Sequence, residues 1–286
     1  MRHIEFIHTD HFENNYHRHF VTGRLSLFID FFWQTNFDEL LNANPKGFSD
    51  LLFPNLGYTY LINLGTPYIM QVEKNKIPMK GDGFLPRFNH IEAFHKPGNC
   101  LFGIKFKVSP VIFEKKVNFS EYSGTVYPLS YLLEKSVINE VKNAVSFDKR
   151  VKLLSRHYEN ILDTHEGSLQ AVNIVTDVLE NCEQQNNFNP SLEKLSRRYH
   201  ITARTLQRYF SAAAGMSSKK ALQVLRIRKA IHHMISDPKT FHFSRYSYYD
   251  ASHFYKHLKQ FLNKDSLQQL NPYLQLLQTM RKKEGR

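Results

Sequence analysis

Residues 189–215 read NPSLEKLSRRYHITARTLQRYFSAAAG. Ser191 can open a helix, because its hydroxyl can accept from a backbone N–H two or three residues on. Lys194 rather than Glu stands at the third position, so the reciprocal half of a capping box is missing. Leu192, Leu195 and Tyr199 supply the inner face of that helix, and YHIT (199–202) is a short turn with Ile201 as its apolar plug. Thr202 caps a second helix, whose inner face is Leu206 and Phe210 and whose end is Gly215. Arg204, Gln207 and Arg208 lie three or four apart and form another stripe. A stripe of long, donor-rich side chains is either a solvated face or a surface built to meet nucleic acid. The helix-turn-helix spacing favours the second, since the second helix of that motif presents its N-terminal residues to base edges. There Arg can grip guanine and Gln adenine with two hydrogen bonds each.

The same grammar returns 48 residues later in ASHFYKHLKQFLN (251–263), with Ala251 at the place of Ala203, Phe254 of Leu206, Leu258 of Phe210, Lys256 of Arg208 and Asn263 of Gly215. Between the copies, SSKKALQVLRIRKAIHHMIS (217–236) reads as one long helix with Ala221, Leu222, Leu225, Ala230 and Ile231 at apolar positions, ended by Asp237 and Pro238. One such match is imitated by many packed helix pairs; two joined by a single helix are specific. The charge supports them. From residue 166 onward there are 19 Lys and Arg against 9 Asp and Glu, a charge of +10, whereas the preceding residues carry 19 against 17. A basic excess confined to one segment favours a polyanion through counterion release.

The N-terminal half has a different texture. GYTYLINLG (57–65) and LFGIKFKVS (101–109) are strand-like, and in the second Phe102, Ile104, Phe106 and Val108 alternate with Lys105 and Lys107, the pattern of a half-buried strand. Pro78, Gly81, Gly83 and Pro86 punctuate turns between them. GRLSLFIDFFW (23–33) suits either a strand or a short amphipathic helix. After Pro128 the spacing turns helical, in 129–145, 149–162 and 169–182, with THEGS (164–168) as a linker and QQNNFNP (184–190) as a break. The expected fold class is therefore α+β. A β-rich sensing or dimerisation domain with trailing helices spans 1–165, and an all-α domain with two helix-turn-helix units joined by a long helix spans 166–286.

Here the chain resembles the AraC/XylS type of bacterial transcription regulator, over roughly residues 168–275. SLEKLSRRYHITARTLQRYFSAAAGMSS, LRIRKA and YYDASHFYKHLKQF carry the likeness, and FPNLGYTYLINLGTPY (53–68) carries a weaker one to the β-rich domains that precede such pairs. The resemblance implies a sequence-specific duplex-DNA-binding regulator. By position it implies base reading by Arg204, Gln207 and Arg208 in the first unit and by Ser252, His253 and Lys256 in the second. Lys219 and Lys220, at the start of the connecting helix, suit phosphate contacts. The second unit departs from the family pattern: PKTFHFSRYSYYD (238–250) is a few residues short, lacks the usual Ile-Ala pair and has Ser247 where a glycine is expected. The partner implied is double-stranded DNA, with room for a small-molecule effector, a contact with RNA polymerase and a homodimer. An effector would need an apolar pocket, for which Tyr58, Tyr60, Phe102 and Phe106 are the candidate lining.

Other classes fit less well. No P-loop, G-x-S-x-G, H-E-x-x-H or C-x-x-C pattern occurs, so no enzyme and no cofactor are expected. Cys100 and Cys182 are too few for a disulfide framework or a cysteine zinc cluster. In HTDHFENNYHRHF (8–20), His17 and His19 share one strand face, but no partner pattern is visible, so they read as surface histidines and no metal is expected. The absence of a signal peptide or an apolar span points to the cytoplasm with no membrane partner. The 23 Phe and 15 Tyr leave open a protein that stacks single-stranded nucleic acid. The shortened second unit leaves open an interaction module that has lost DNA reading.

Overall fold

The computed structural model describes residues 1–109, 125–165, 167–262 and 264–275. The N-terminal half holds strands β1 (Arg2–Ile4), β2 (His17–Phe20), β3 (Ile29–Asn36), β4 (Ser49–Leu52), β5 (Tyr58–Asn63), β6 (Tyr68–Val72), β7 (Asn75–Met79), β8 (Gly83–Pro86), β9 (Ile91–Phe94), β10 (Cys100–Phe106) and β11 (Tyr127–Pro128), with helices α1 (Thr9–Asn14) and α2 (Asp38–Ala43) between them. They form a five-stranded sheet ordered β1-β4-β9-β6-β7 and a six-stranded sheet ordered β11-β8-β5-β10-β3-β2. The ambiguous stretch 23–33 is both things: a 3-10 turn over Gly23–Leu27 runs into β3. Helices α3 (Lys135–Asn143), α4 (Phe147–Thr164) and α5 (Gln170–Gln184) follow. Then come α6 (Leu192–Arg198), α7 (Ala203–Ala214), α8 (Ser218–Ser236), α9 (Ala251–Phe261) and α10 (Lys264–Gln269). No described helix is long and apolar enough to cross a membrane.

Alternation along the strands divides the six-stranded sheet between two apolar layers. Leu61 and Leu101 join Trp33, Met70, Leu85 and Ile91 between the two sheets. Tyr58, Tyr60, Ile62, Phe102, Ile104 and Phe106 point the other way and join the helical core, where Tyr158 of α4 meets the rings of Phe28 and Phe106. Every residue of β5, and of β10 after Cys100, is buried. The expectation of a half-buried strand with Lys105 and Lys107 in water is therefore corrected at Lys105, because this sheet is covered on both faces.

The same core passes residue 165 without a break and continues through α5 to α9. Polar contacts cross with it: Thr176 Oγ1 donates to Leu27 O (3.1 Å), Ser109 N to Ala213 O (2.6 Å), and Arg228 of α8 pairs with Glu5 (2.5 Å). Gly215 ends α7 with φ +68°, and a Cβ at this position would collide with the buried Tyr58 hydroxyl and come within 3.0 Å of Phe88. Glycine is needed there twice over, for its left-handed backbone and for the close approach of β5. Gly215→Ala should lower stability by at least about 2 kcal/mol, from the left-handed conformation together with overpacking. Urea unfolding of the full chain checks this, and an unchanged midpoint would mean that α7 and β5 do not meet in this way.

Candidate nucleic-acid interface

The first helix-turn-helix forms as α6 and α7, whose starts are set by the two caps read from the sequence, and α9 forms with a cap of its own. Ser191 Oγ accepts from Lys194 N (3.1 Å) and Thr202 Oγ1 from Thr205 N (3.0 Å). Asp250 Oδ1 accepts from His253 N at the start of α9 (2.7 Å). The turn of the first unit closes through Ile201 N to Ser196 O (3.1 Å), with His200 in the left-handed region. Leu206, Phe210, Phe254 and Leu258 are buried, as their spacing requires. The lead-in to the second unit is one 3-10 turn, Phe243–Tyr246, and Ser247 takes the left-handed φ of 59° that a glycine would hold with less strain. The match of Asn263 to Gly215 lies outside the described residues.

On the solvent side, Arg204 and Arg208 of α7 are exposed and have no acidic partner among the described residues; the Arg208 guanidinium lies 5.9 Å from its neighbour Tyr209's ring centre. Gln207 is less free, being half-buried with its Oε1 accepting from Ser218 Oγ (3.2 Å). Lys219 and Lys220 are exposed at the start of α8. Ser252, His253 and Lys256 are exposed on α9, and Ser252 and Lys256 border a groove that Lys259 and Leu267 also line. The structure thus places the candidate base readers on the second helix of each unit, all of them exposed except Gln207.

A polar seam locks the two units together, and it has no mark in the sequence. Arg226, on the apolar side of α8, is 4% exposed. Its guanidinium lies 4.3 Å from the Tyr248 ring centre, and Nη1 donates to Asn189 Oδ1 (3.3 Å). Asn189 in turn donates to Ser247 O (3.2 Å), and the Tyr248 hydroxyl meets His257 Nδ1 (2.7 Å). Burial first, then Arg226, His253 and Lys220, push the His257 imidazole down to about 4. The ring is neutral near pH 7, so it adds no charge to the face that α9 presents.

The candidate pocket lining is corrected. Tyr58, Tyr60, Phe102 and Phe106 are each fully buried in the helical core. The cavity lies on the opposite face of their strands, between the sheets, with a volume of about 350 Å³. Its wall is built from Trp33, Leu61, Met70 and Leu101, with Arg18, Arg87, Lys105 and Arg228 and the carboxylates of Glu5, Glu13, Asp30 and Asp50 as its charged groups. Arg228 and His232 reach it from α8, the helix that joins the two units. Arg228 also donates to Pro54 O (3.0 Å) and stacks over Phe6 (4.8 Å). The Nε of Arg87 is buried without a hydrogen-bond partner. Lys105 Nζ donates to the carbonyls of Leu56 (2.5 Å) and Phe106 (2.8 Å).

No protein-family model matches the chain, and no curated protein matches it significantly. Among solved structures it is similar to ToxT from Vibrio cholerae, with 11% identity over 75% of this chain and 90% of that one and a TM-score of 0.42. It is similar to unsaturated fatty acid bound wild-type ToxT from Vibrio cholerae strain SCE256 at 10% identity, over 74% and 85% of the two chains, with a TM-score of 0.40. The AraC-like transcriptional activator CuxR shows 8% identity over 70% and 73%, with a TM-score of 0.23.

Lys105 gives the cavity a signature in pH. Burial, with Arg87 and Arg228, lowers its ammonium from 10.5 to about 7, against the opposing pull of Asp30 and Glu5. Between pH 7 and 9 the unfolded chain therefore binds the proton that the folded chain has released, and this residue's contribution makes stability fall as pH drops and rise as pH climbs. Relative to Lys105→Met, the parent should gain stability as pH rises from 7 to 9, by at most about 1.4 kcal/mol per pH unit. Urea titrations at three pH values check it; a constant difference would mean that the amine keeps its ordinary affinity for protons.

Proposed function

We propose that the chain is a sequence-specific regulator of transcription that binds duplex DNA through α7 and α9 and takes a small-molecule effector between its two sheets. One observation carries the reading: two capped helix-turn-helix units, packed on a single connecting helix, present exposed cationic side chains from their second helices. A solvated helix pair with no polyanion partner has no need for the tandem arrangement or for a charge of +10 gathered in the segment that contains it.

Arg208 is the strongest reader. It stands between one and two turns beyond the Thr202 cap, is exposed, and is free of the internal bond that restrains Gln207. Arg204 stands at the helix start, Lys219 and Lys220 suit the phosphate backbone, and Ser252, His253 and Lys256 suit the second half of the site.

The effector reading rests on the cavity. Its apolar wall suits a hydrophobic body, and the unpartnered Nε of Arg87 beside Lys105 suits a carboxylate. A small apolar acid is the class that fits. Because Arg228 lines the same cavity and belongs to α8, an occupant that competes for that guanidinium would alter the hold of the sheets on the helix carrying both units.

The test is binding-site selection from random duplex DNA with the full chain, followed by variants. Arg208→Ala should cost about 1–3 kcal/mol on the selected site and relax base preference at one position. Lys219→Ala should weaken all duplexes alike and reduce the salt slope by about 0.9. Lys256→Ala decides the second unit: a change in sequence preference places α9 in the groove, and a uniform loss places it on the backbone. Equal affinity of folded Arg208→Ala and parent for selected and random DNA would end the reading. Preference for single strands in competition would replace it with a stacking protein.

A further inference from the structure

The histidines singled out by sequence, His17 and His19, lie exposed on β2. Three others meet in the interior, brought from separate parts of the chain. β1 runs parallel to β4 with His3 directly opposite Asp50, and β4 runs antiparallel to β9, which delivers His95 just past its end. α1 supplies His11. The four side chains are between 1% and 7% exposed.

Their geometry is converging rather than merely crowded. Asp50 Oδ1 has His3 Nδ1 at 3.2 Å and His11 Nε2 at 2.8 Å, and the two imidazoles stack with centres 3.6 Å apart. The donor atoms of His3, His11 and Asp50 all lie within 4.8 Å of one another. In a tetrahedral zinc site with bonds of about 2.0–2.1 Å, neighbouring ligand atoms are about 3.3 Å apart. His11 Nε2 lies at 2.8 Å from Asp50 Oδ1, and Asn15 Nδ2 sits 3.2 Å from the ring's other nitrogen.

His95 approaches the same carboxylate from the other side. Asn99 donates its amide N–H to Thr66 O (3.1 Å), so its Oδ1 faces the ring and fixes the proton on His95 Nδ1 (2.7 Å). The ring's Nε2 lies 3.5 Å from Asp50 Oδ2, buried in the same cluster. Tyr16 donates to that same Oδ2 (2.5 Å), leaving Oδ1 to the other histidines.

We propose that His3, His11 and Asp50 form a binding site for a divalent transition-metal ion of the zinc class. Imidazole nitrogen and carboxylate oxygen are the donors that zinc takes. His95, its Nε2 3.5 Å from Asp50 Oδ2, borders the remaining position. Entry is from the cavity, whose wall includes Asp50, His95 and Tyr16. The site is independent of the DNA reading.

The competing account is a metal-free network in which protons alone fill the centre. Full-length protein stripped with a chelator and exchanged into buffer should bind one equivalent of Zn²⁺ in calorimetry, and its Tm should rise with Zn²⁺ concentration. Zinc-edge X-ray absorption of the loaded parent should show nitrogen and oxygen neighbours with two imidazoles, a readout that needs no variant. His11→Gln and Asp50→Asn, shown folded by circular dichroism, should weaken binding at least tenfold, while the double variant His17→Gln/His19→Gln should bind as the parent does. Absence of stoichiometric binding by the folded parent overturns the proposal. So does binding that is kept in His11→Gln and lost in the double variant, which would assign the metal to the surface strand.

Discussion

The ion pair between Glu5 and Arg228 joins residues 223 positions apart and ties the start of the chain to the helix that carries both units. Both partners are largely buried, and the interaction is extended by the carbonyl of Pro54 and the ring of Phe6. Burial by itself would raise the Glu5 carboxyl, but Arg228 and Arg87 outweigh it and hold the group below its ordinary value. Such a pair adds modest net stability, yet removing one member strands a charge at a cost of about 3–5 kcal/mol. Its value is positional. It fixes α8 against β1 and the β4–β5 connection, and both helix-turn-helix units are mounted on α8.

The helical half is the more legible in sequence because its information is local. Ser191 and Thr202 cap through bonds to residues three positions on, Gly215 ends α7 as a left-handed residue, and the spacing of four between Leu206 and Phe210 and between Phe254 and Leu258 gives the buried faces. The β-rich half is legible only as strands. Alternation in β10 separates Phe102 and Phe106 from Leu101 and Lys105, but it does not say which side faces a cavity. Lys105 reads as solvent-facing because a second sheet covering it leaves no local mark. Asp50, His3 and His95 are joined by strand pairing across long stretches of chain, a relation that no spacing in the sequence encodes.

The second helix-turn-helix unit shows how a departure from pattern can be absorbed. Its lead-in is reduced to one 3-10 turn, and Ser247 occupies a backbone conformation that costs an L-residue about 1–2 kcal/mol. Around that point the chain substitutes polar anchoring for helix length. Asn189 holds the Ser247 carbonyl, Arg226 lies over Tyr248, and Tyr248 bonds His257 on α9. The second unit is thereby referenced directly to the loop that starts the first. An arginine in the middle of an amphipathic helix reads as a solvated residue, which is why spacing alone does not disclose the seam.

The contact at Gly215 bears on how such a chain can be inherited. Tyr58 and Phe88 of the N-terminal half fit against the bare α-carbon that ends a helix of the first unit, and Ser109 bonds the carbonyl of Ala213 just before it. The end of that helix and the surface of the sheet are cut to each other's shape. A recombination near residue 165 that brought in a foreign helical half would import a different helix end and leave the Tyr58 side of the sheet mismatched. Gene exchange between relatives would then succeed only where donor and recipient share this helix terminus, so the two halves should pass through evolution as one unit.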